Sequence, residues 1–294
     1  MEKARSNVVA ICLFMLPAAA LFTVIIIVPI IMSSYYSLLD WDGITKGVFV
    51  GLENFVQLFK SKTAGFPKTL FNVSVLALLS VVIQLPLALF LAIVLGRGIK
   101  GEVFFLSVFF IPVLLSTTVI GQLWSKIYNP DYGILNVTLR ALGLDHLTKV
   151  WLGDQKTALI AVFIPILWQY VGYHMLIMYA GIKSISPELR EAARIDGATE
   201  GQLARYVTIP LLKPVLRTSI IFSVTGSLKA FDLIYILTNG GPAHASEVPS
   251  TLMVSMIFNR NRYGFGSAIA VMIIFLCFLV AIVLRKLMKT EEVV

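Results

Sequence analysis

A chain of 294 residues that is 58% hydrophobic and 14% charged carries more hydrocarbon than a soluble fold of its size can hide. Its net charge of +8 is no nucleic-acid footprint, because the basic residues lie scattered on short stretches between apolar runs, where they set membrane topology. Cys12 and Cys277 sit inside apolar runs, and His146, His174 and His244 lie far apart, so neither a disulfide framework nor a metal site is expected.

Six apolar runs reach the about 20 residues that a helix needs to cross a bilayer core. The pattern predicts an all-α integral membrane protein with transmembrane helices at about 8–31, 70–96, 103–124, 158–182, 215–238 and 265–284, forming one transmembrane domain over 1–294. Lys3, Arg5 and the small residues Ala18, Ala19 and Ala20 imitate a cleavable leader. The apolar run continues through Ile31, too long for such a leader, and reads as a retained anchor helix. Pro17, Pro29, Pro86, Pro112 and Pro165 fall inside these runs and are read as kinks of the kind membrane helices tolerate.

The third run carries Ser116, Thr117, Thr118, Gln122 and Trp124, and the fourth Trp168, Gln169, Tyr170, Tyr173 and His174. Each alone reads as helix-packing glue, and the two tryptophans equally as packing residues or interface anchors. As a set, convergent amides and aromatics are what a path for a polyol needs. In the fifth run Lys229 and Asp232 stand at i, i+3, where one helix face brings them within pairing range. Ionisable groups at membrane depth face a cavity or a partner, so cavity lining, a buried pair and a subunit interface all stay open. Phe231 and Tyr235 offer aromatic surface to a sugar ring. The candidate substrate path is therefore Gln122, Gln169, Tyr170, Tyr173, Lys229, Phe231, Asp232 and Tyr235.

Sidedness follows from lysine and arginine. Lys3 and Arg5, Arg97 and Lys100, the basic residues from Lys183 to Arg217, and Arg285, Lys286 and Lys289 crowd the helix ends of one side, predicting an N-in, C-in arrangement. That places residues 183–214 in the cytoplasm. There Ser186-Pro187 reads as a helix start, and Leu189, Ala192 and Ala193 make a small apolar face. Gly197 falls where a left-handed cap is easiest. Thr199 with Gln202 three residues on is a capping-box signature, and Pro210 and Pro214 bound the second helix. Helix, tight turn, helix is the expectation, with Glu188, Arg190, Glu191, Arg194, Asp196 and Arg205 giving both signs of charge. Docking to another body and packing on its own membrane domain fit periodicity and caps equally.

The pattern Glu191-Ala192-Ala193, Gly197, Val207, Ile209 and Pro210 resembles the EAA loop of ABC-importer permeases, with Val207 where Ile is usual. GLENF from Gly51 to Phe55, Gly133 with Asn136, and FDLIYILTNGGP from Phe231 to Pro242 resemble the carbohydrate-uptake branch, of maltose and glycerol-phosphate type. The resemblance implies the type I ABC importer permease fold in a bacterial cytoplasmic (inner) membrane, with the loop as a coupling-helix pair. It makes Glu191, Ala192, Ala193, Asp196, Gly197, Val207, Ile209 and Pro210 the contact with the motor. It also implies two ABC ATPase subunits, a second homologous permease subunit, an extracytoplasmic solute-binding protein and a carbohydrate substrate, with an oligosaccharide as the expectation. No G-x-x-x-x-G-K-[ST] phosphate loop occurs; ATP and magnesium belong to the partner ATPases, and no cofactor is expected in this chain. The alternative is a stand-alone ion-coupled secondary transporter, disfavoured because membrane carboxylates are nearly limited to Asp232. A membrane enzyme ranks last, as no nucleophile–base cluster or metal set gathers on one side.

Overall fold

The computed structural model describes residues 2–60 and 65–288. Lys289 and the side chains of Lys3 and Arg5, counted above for sidedness, lie outside the described residues. Among the described residues five helices are long and apolar enough to cross a membrane: α1 (Cys12–Tyr36), α3 (Phe66–Gly96), α7 (Ala158–Lys183), the run Lys213–Thr238 and α13 (Tyr263–Leu287); a bent pair, counted as one span, brings the number to six. Between them lie α2 (Glu53–Lys60), α4 (Glu102–Leu114), α5 (Thr117–Ile127), α6 (Ile134–Ala141), α8 (Pro187–Ile195) and α9 (Glu200–Leu203). The run Lys213–Thr238 comprises α10 (Lys213–Leu228) and α11 (Asp232–Thr238), and α12 (Pro249–Val254) precedes α13. The chain divides into two compact units, residues 1–65 with 253–274 and residues 66–252 with 275–294.

In the first unit a short antiparallel hairpin, β1 (Leu39–Asp40) and β2 (Val48–Phe49), follows α1. The GLENF motif has a structural reason there. Buried Asn54 donates from its amide to the carbonyls of Ser37 and Leu39, at 2.9 and 2.8 Å, fixing α2 against the hairpin. Gly264 lies so close to the hairpin that a Cβ would overlap the Leu39 carbonyl. The hairpin turn is held by Asp42, whose Oδ1 accepts from the amides of Ile44 and Thr45 and from the Thr45 hydroxyl. Those bonds, the Ile44 amide first, hold its carboxyl below the usual range.

Prolines are accommodated in two ways. Pro29, Pro86 and Pro210 each come two residues after a π-type turn, at Thr23–Ile27, Ser80–Gln84 and Ala204–Thr208. A proline ring collides with the carbonyl four residues back, and those carbonyls, on Ile25, Val82 and Tyr206, lie inside the widened turns. The residue before each proline donates instead to the fifth residue back, as Leu85 does to Ser80. Pro17, Pro112 and Pro165 remain inside ordinary α-helix. Pro210 therefore does not bound the second cytoplasmic helix, which runs on through Ile209–Leu211.

The second unit is built on α3 and α7. Ala88 and Ala92 of one meet Met175, Met178 and Ile182 of the other in a buried cluster, small residues facing large ones as membrane packing favours. Gly172 of α7 lies against α4, where an added Cβ would overlap the Phe109 carbonyl. The predicted third span is broken: α4 and α5 meet at 96°, because Leu115 is extended and Ser116 opens a new helix by accepting from the Val119 amide at 3.4 Å. Ser116 is thus an N-cap rather than interhelical glue.

Gly172→Ala should lower the thermal unfolding midpoint of the detergent-solubilised chain, overpacking of this kind costing about 1–3 kcal/mol. Gly201→Ala, whose added Cβ meets nothing within 4 Å, should leave the midpoint where it was.

Candidate functional site

Two interruptions in the membrane helices meet at one place. Besides the break at Leu115–Ser116, the fifth span is interrupted where Lys229 caps α10 and Phe231 takes φ −145°, so that Asp232 starts α11. The α5 and α11 segments beyond the breaks pack together, so closely that a Cβ on Gly121 would overlap the Ile236 side chain. Beside them lies a cavity of about 390 Å³, walled by residues of α3, α7 and α10, by Thr117 and by the Lys229–Leu233 segment.

The polar lining is largely buried. On α3, Gln84 donates to the Leu167 carbonyl at 3.1 Å. Ser227 of α10 donates to the Ser223 carbonyl at 2.9 Å and lies 3.3 Å from Ser80; with its hydrogen already committed, it accepts from Ser80. Three further lining residues carry a buried polar atom with no partner among the described residues: Gln169 Oε1, His174 Nδ1 and Ser223 Oγ. Each such atom costs about 1–3 kcal/mol if it stays unpaired, so the site is built for something that brings hydrogen bonds. Aromatic rings complete it. Tyr170 meets Tyr173 edge-on at 6.5 Å, and Phe231 stacks on Tyr235 at 5.1 Å and 26°.

Of the predicted path, Gln169, Tyr170, Tyr173, Lys229, Phe231 and Asp232 line this cavity, while Gln122 and Tyr235 do not. Gln122 projects from an exposed face of α5, and Tyr235 reaches the site only as the second layer behind Phe231. Among the described residues no ion pair within 4.0 Å joins Lys229 to Asp232. The i, i+3 argument fails because the helix between them is interrupted. Sequence reasoning missed Ser80, Gln84, Ser223 and Ser227. Their signal is periodic: Ser80 and Gln84 share a face at i, i+4, as do Ser219, Ser223 and Ser227.

At the ends of α3 and α7 lies the elbow of residues 183–214. Ser186 occupies the N-cap of α8, but its hydroxyl donates to the Glu188 carboxylate instead of capping an amide. Gly197 is left-handed at φ +83°. Ala198 N–H bonds the Ala193 carbonyl at 2.9 Å and Gly197 N–H that of Arg194 at 3.0 Å, closing a Schellman cap. The capping box forms in full: Gln202 N–H donates to Thr199 Oγ1 and Thr199 N–H to Gln202 Oε1. Glu200 then joins Arg194 of α8, at 3.0 Å, to Arg97 at the end of α3, at 3.5 Å. Beside it Glu102 accepts from the Tyr179 hydroxyl and pairs with Lys183 at 3.0 Å. The Arg97–Glu200 pair is about two-fifths exposed on both sides, worth about 0–1 kcal/mol, so it orients the elbow more than it stabilises it.

Glu191, Ala192, Asp196, Gly197 and Pro210 are exposed, and Ala193, Val207 and Ile209 half-buried. The same surface displays Leu189, Tyr206 and Ile195, the last 87% exposed.

A family model described as "Binding-protein-dependent transport system inner membrane component" matches residues 69–290, and the chain belongs to this family. It is a permease subunit of an ABC importer and a multi-pass inner-membrane protein. It is similar to the probable ABC transporter permease protein YurN of Bacillus subtilis, 38% identical over 95% of this chain and 96% of that one. It is also similar to the trehalose/maltose transport system permease protein MalF of Thermococcus litoralis, 33% identical over 88% and 87%. Among solved structures, a subunit of a bacterial ABC transporter involved in import of the acidic polysaccharide alginate superposes with a TM-score of 0.84, covering 97% of both chains at 22% identity. The fold is that of type I importer permeases.

Replacing Thr199 with alanine should cost the elbow about 1 kcal/mol, the usual worth of an N-cap. Amide hydrogen exchange should then quicken over residues 200–203 while α7 keeps its protection.

Proposed function

We propose that this chain forms half of the translocation path for a carbohydrate, with a second homologous permease subunit supplying the other half. The observation that carries the reading is the polar cavity at the two helix breaks. Buried groups on Gln169, His174 and Ser223 lack partners, and aromatic faces stand beside them. A sugar presents hydroxyls to the former and C–H faces to the latter. The family description names binding-protein dependence, and relatives are named for trehalose and maltose or for alginate, which supports delivery by an extracytoplasmic solute-binding protein.

In this reading the chain acts as one permease domain with both termini inside, and the elbow docks on a separate ABC ATPase, two copies of which bind ATP and magnesium. The chain itself performs transport without covalent chemistry. Exposed Ile195, Leu189 and Tyr206 on a capped, rigid turn supply apolar anchors, and Glu191 and Asp196 supply polar selection around them. The route from motor to path runs through whole helices. Arg97 ties the elbow to α3, whose Ser80 and Gln84 line the cavity, and the Lys183–Glu102 pair joins the end of α7, whose Gln169 and His174 line it too, to the start of α4.

The test is uptake and ATP hydrolysis by the complete complex reconstituted with its binding protein. Gln169→Leu should lower ligand-stimulated uptake about tenfold while ATPase subunits still co-purify. Unchanged uptake would remove the cavity from the path. Ile195→Asp should lower the ATPase recovered per permease about tenfold, the loss of one interface hot spot, and leave the permease melt unchanged. Full recovery would count against docking through the elbow.

A further inference from the structure

A second chamber, of about 690 Å³, lies between α5, α6 and the start of α7. Its walls differ from those of the transport cavity. Ile127, Ile134, Ile160 and Ile164 give it an apolar lining, and Lys156 is the one charged residue among the described residues that line it. Of its hydroxyls, Thr157 is committed, donating to the Trp151 carbonyl at 2.8 Å. Tyr128, 3% exposed, and Trp124 carry two further donors, and neither Tyr128 OH nor Trp124 Nε1 has a partner among the described residues.

The chamber is built rather than incidental, and Asn136 builds it. This residue, 2% exposed, donates to the carbonyls of Pro130 and Lys149 at 3.2 and 2.9 Å and accepts from Trp151 Nε1 at 2.8 Å. It thereby holds the loop after α6 and the Trp151 wall in place. Gly133 is needed for the same turn, since a Cβ there would run into the backbone of Ile127 and Asn129. The two residues were prominent in the sequence, and nothing in the transport path uses them.

Position and chemistry select the occupant. The chamber sits where α5 ends and α7 begins, at the level where membrane-spanning helices leave the hydrocarbon and tryptophan and tyrosine gather. Apolar walls give a sugar little to bond and penalise its hydroxyls. An acyl chain fits such walls, and one ammonium with two free aromatic donors fits an anionic head with acceptor oxygens. We propose that this chamber binds an anionic phospholipid, the acyl chain against the isoleucines and the phosphate region at Lys156, Tyr128 and Trp124.

The experiment uses the complete complex in phosphatidylcholine nanodiscs carrying a trace of phosphatidylglycerol or phosphatidylcholine with a photoreactive acyl chain, the crosslinks being mapped by mass spectrometry. The phosphatidylglycerol probe should label residues 124–138 and 157–164 about fivefold more than the phosphatidylcholine probe, the worth of one lysine at an anionic surface. Lys156→Ala should abolish the preference and Lys156→Arg keep it. Thr138→Trp, from an exposed position on α6, should obstruct part of the chamber and lower labelling by both probes, with elution volume and melt reporting an intact complex. Equal labelling by the two probes overturns the proposal, as does labelling that Thr138→Trp leaves unchanged. So does a chamber that no lipid labels and that crosslinks instead to a partner subunit's side chain.

Discussion

Hydrocarbon offers no partner to a broken backbone. A helix can be interrupted at membrane depth only where protein or a wet cavity takes over the freed amides and carbonyls. Two spans of this chain are interrupted, at Leu115–Ser116 and at Lys229–Phe231, and both interruptions border the polar cavity. Helix breaks and cavity are one feature seen twice. The cavity relieves the breaks of their desolvation cost, and the breaks turn Thr117, Lys229 and Asp232 toward it. The close approach of Gly121 to Ile236 then fixes the two displaced segments to each other.

The same constraint explains how the prolines are distributed. Where a span must stay unbroken, as in α3 beside the cavity, Pro86 is absorbed by a π-turn that contains Ser80 and Gln84. Inserting one residue into the turn shifts the following face, and both side chains of that turn reach the polar lining. In the elbow the corresponding turn before Pro210 buries Thr208 and lets the helix continue toward α10. A helical connection from cytoplasmic turn to transmembrane helix results, interrupted only at Leu212, where a proline read as a terminator would have ended the helix earlier.

Much of this was legible. The spans were, because 18-residue windows of apolar side chains have no other explanation at this density. The elbow was legible through its caps: Gly197 and the Thr199–Gln202 pair do what their types predict, since capping is a local bond between neighbours. The breaks were not. Residues 103–124 read as one span because hydropathy averages over Ser116, although proline at 112 followed by a hydroxyl run is the combination that stops one helix and caps another. A buried pair of Lys229 with Asp232, one of three readings left open, has no ion pair among the described residues to support it, because the i, i+3 relation requires a continuous helix and the backbone departs from one there. Gln122 lies off this cavity, on an exposed face of α5 beyond the 96° turn that hydropathy does not register.

Keeping Lys229 and Asp232 apart has a consequence for the cavity. On a continuous helix they would lie within reach at i, i+3, satisfy one another and withdraw from the site. Held on opposite sides of the interruption, each must be solvated separately, which is affordable only because both are exposed at the cavity rather than buried in hydrocarbon. The arrangement leaves one donor cluster and one acceptor at the margin of a lining otherwise made of neutral amides and hydroxyls. A ligand bearing several hydroxyls can bridge them, whereas a compact ion of either sign meets the opposing charge as well. Interrupting the helix therefore does more than open space: it decides that the charges at that space remain unpaired with each other and available to a ligand.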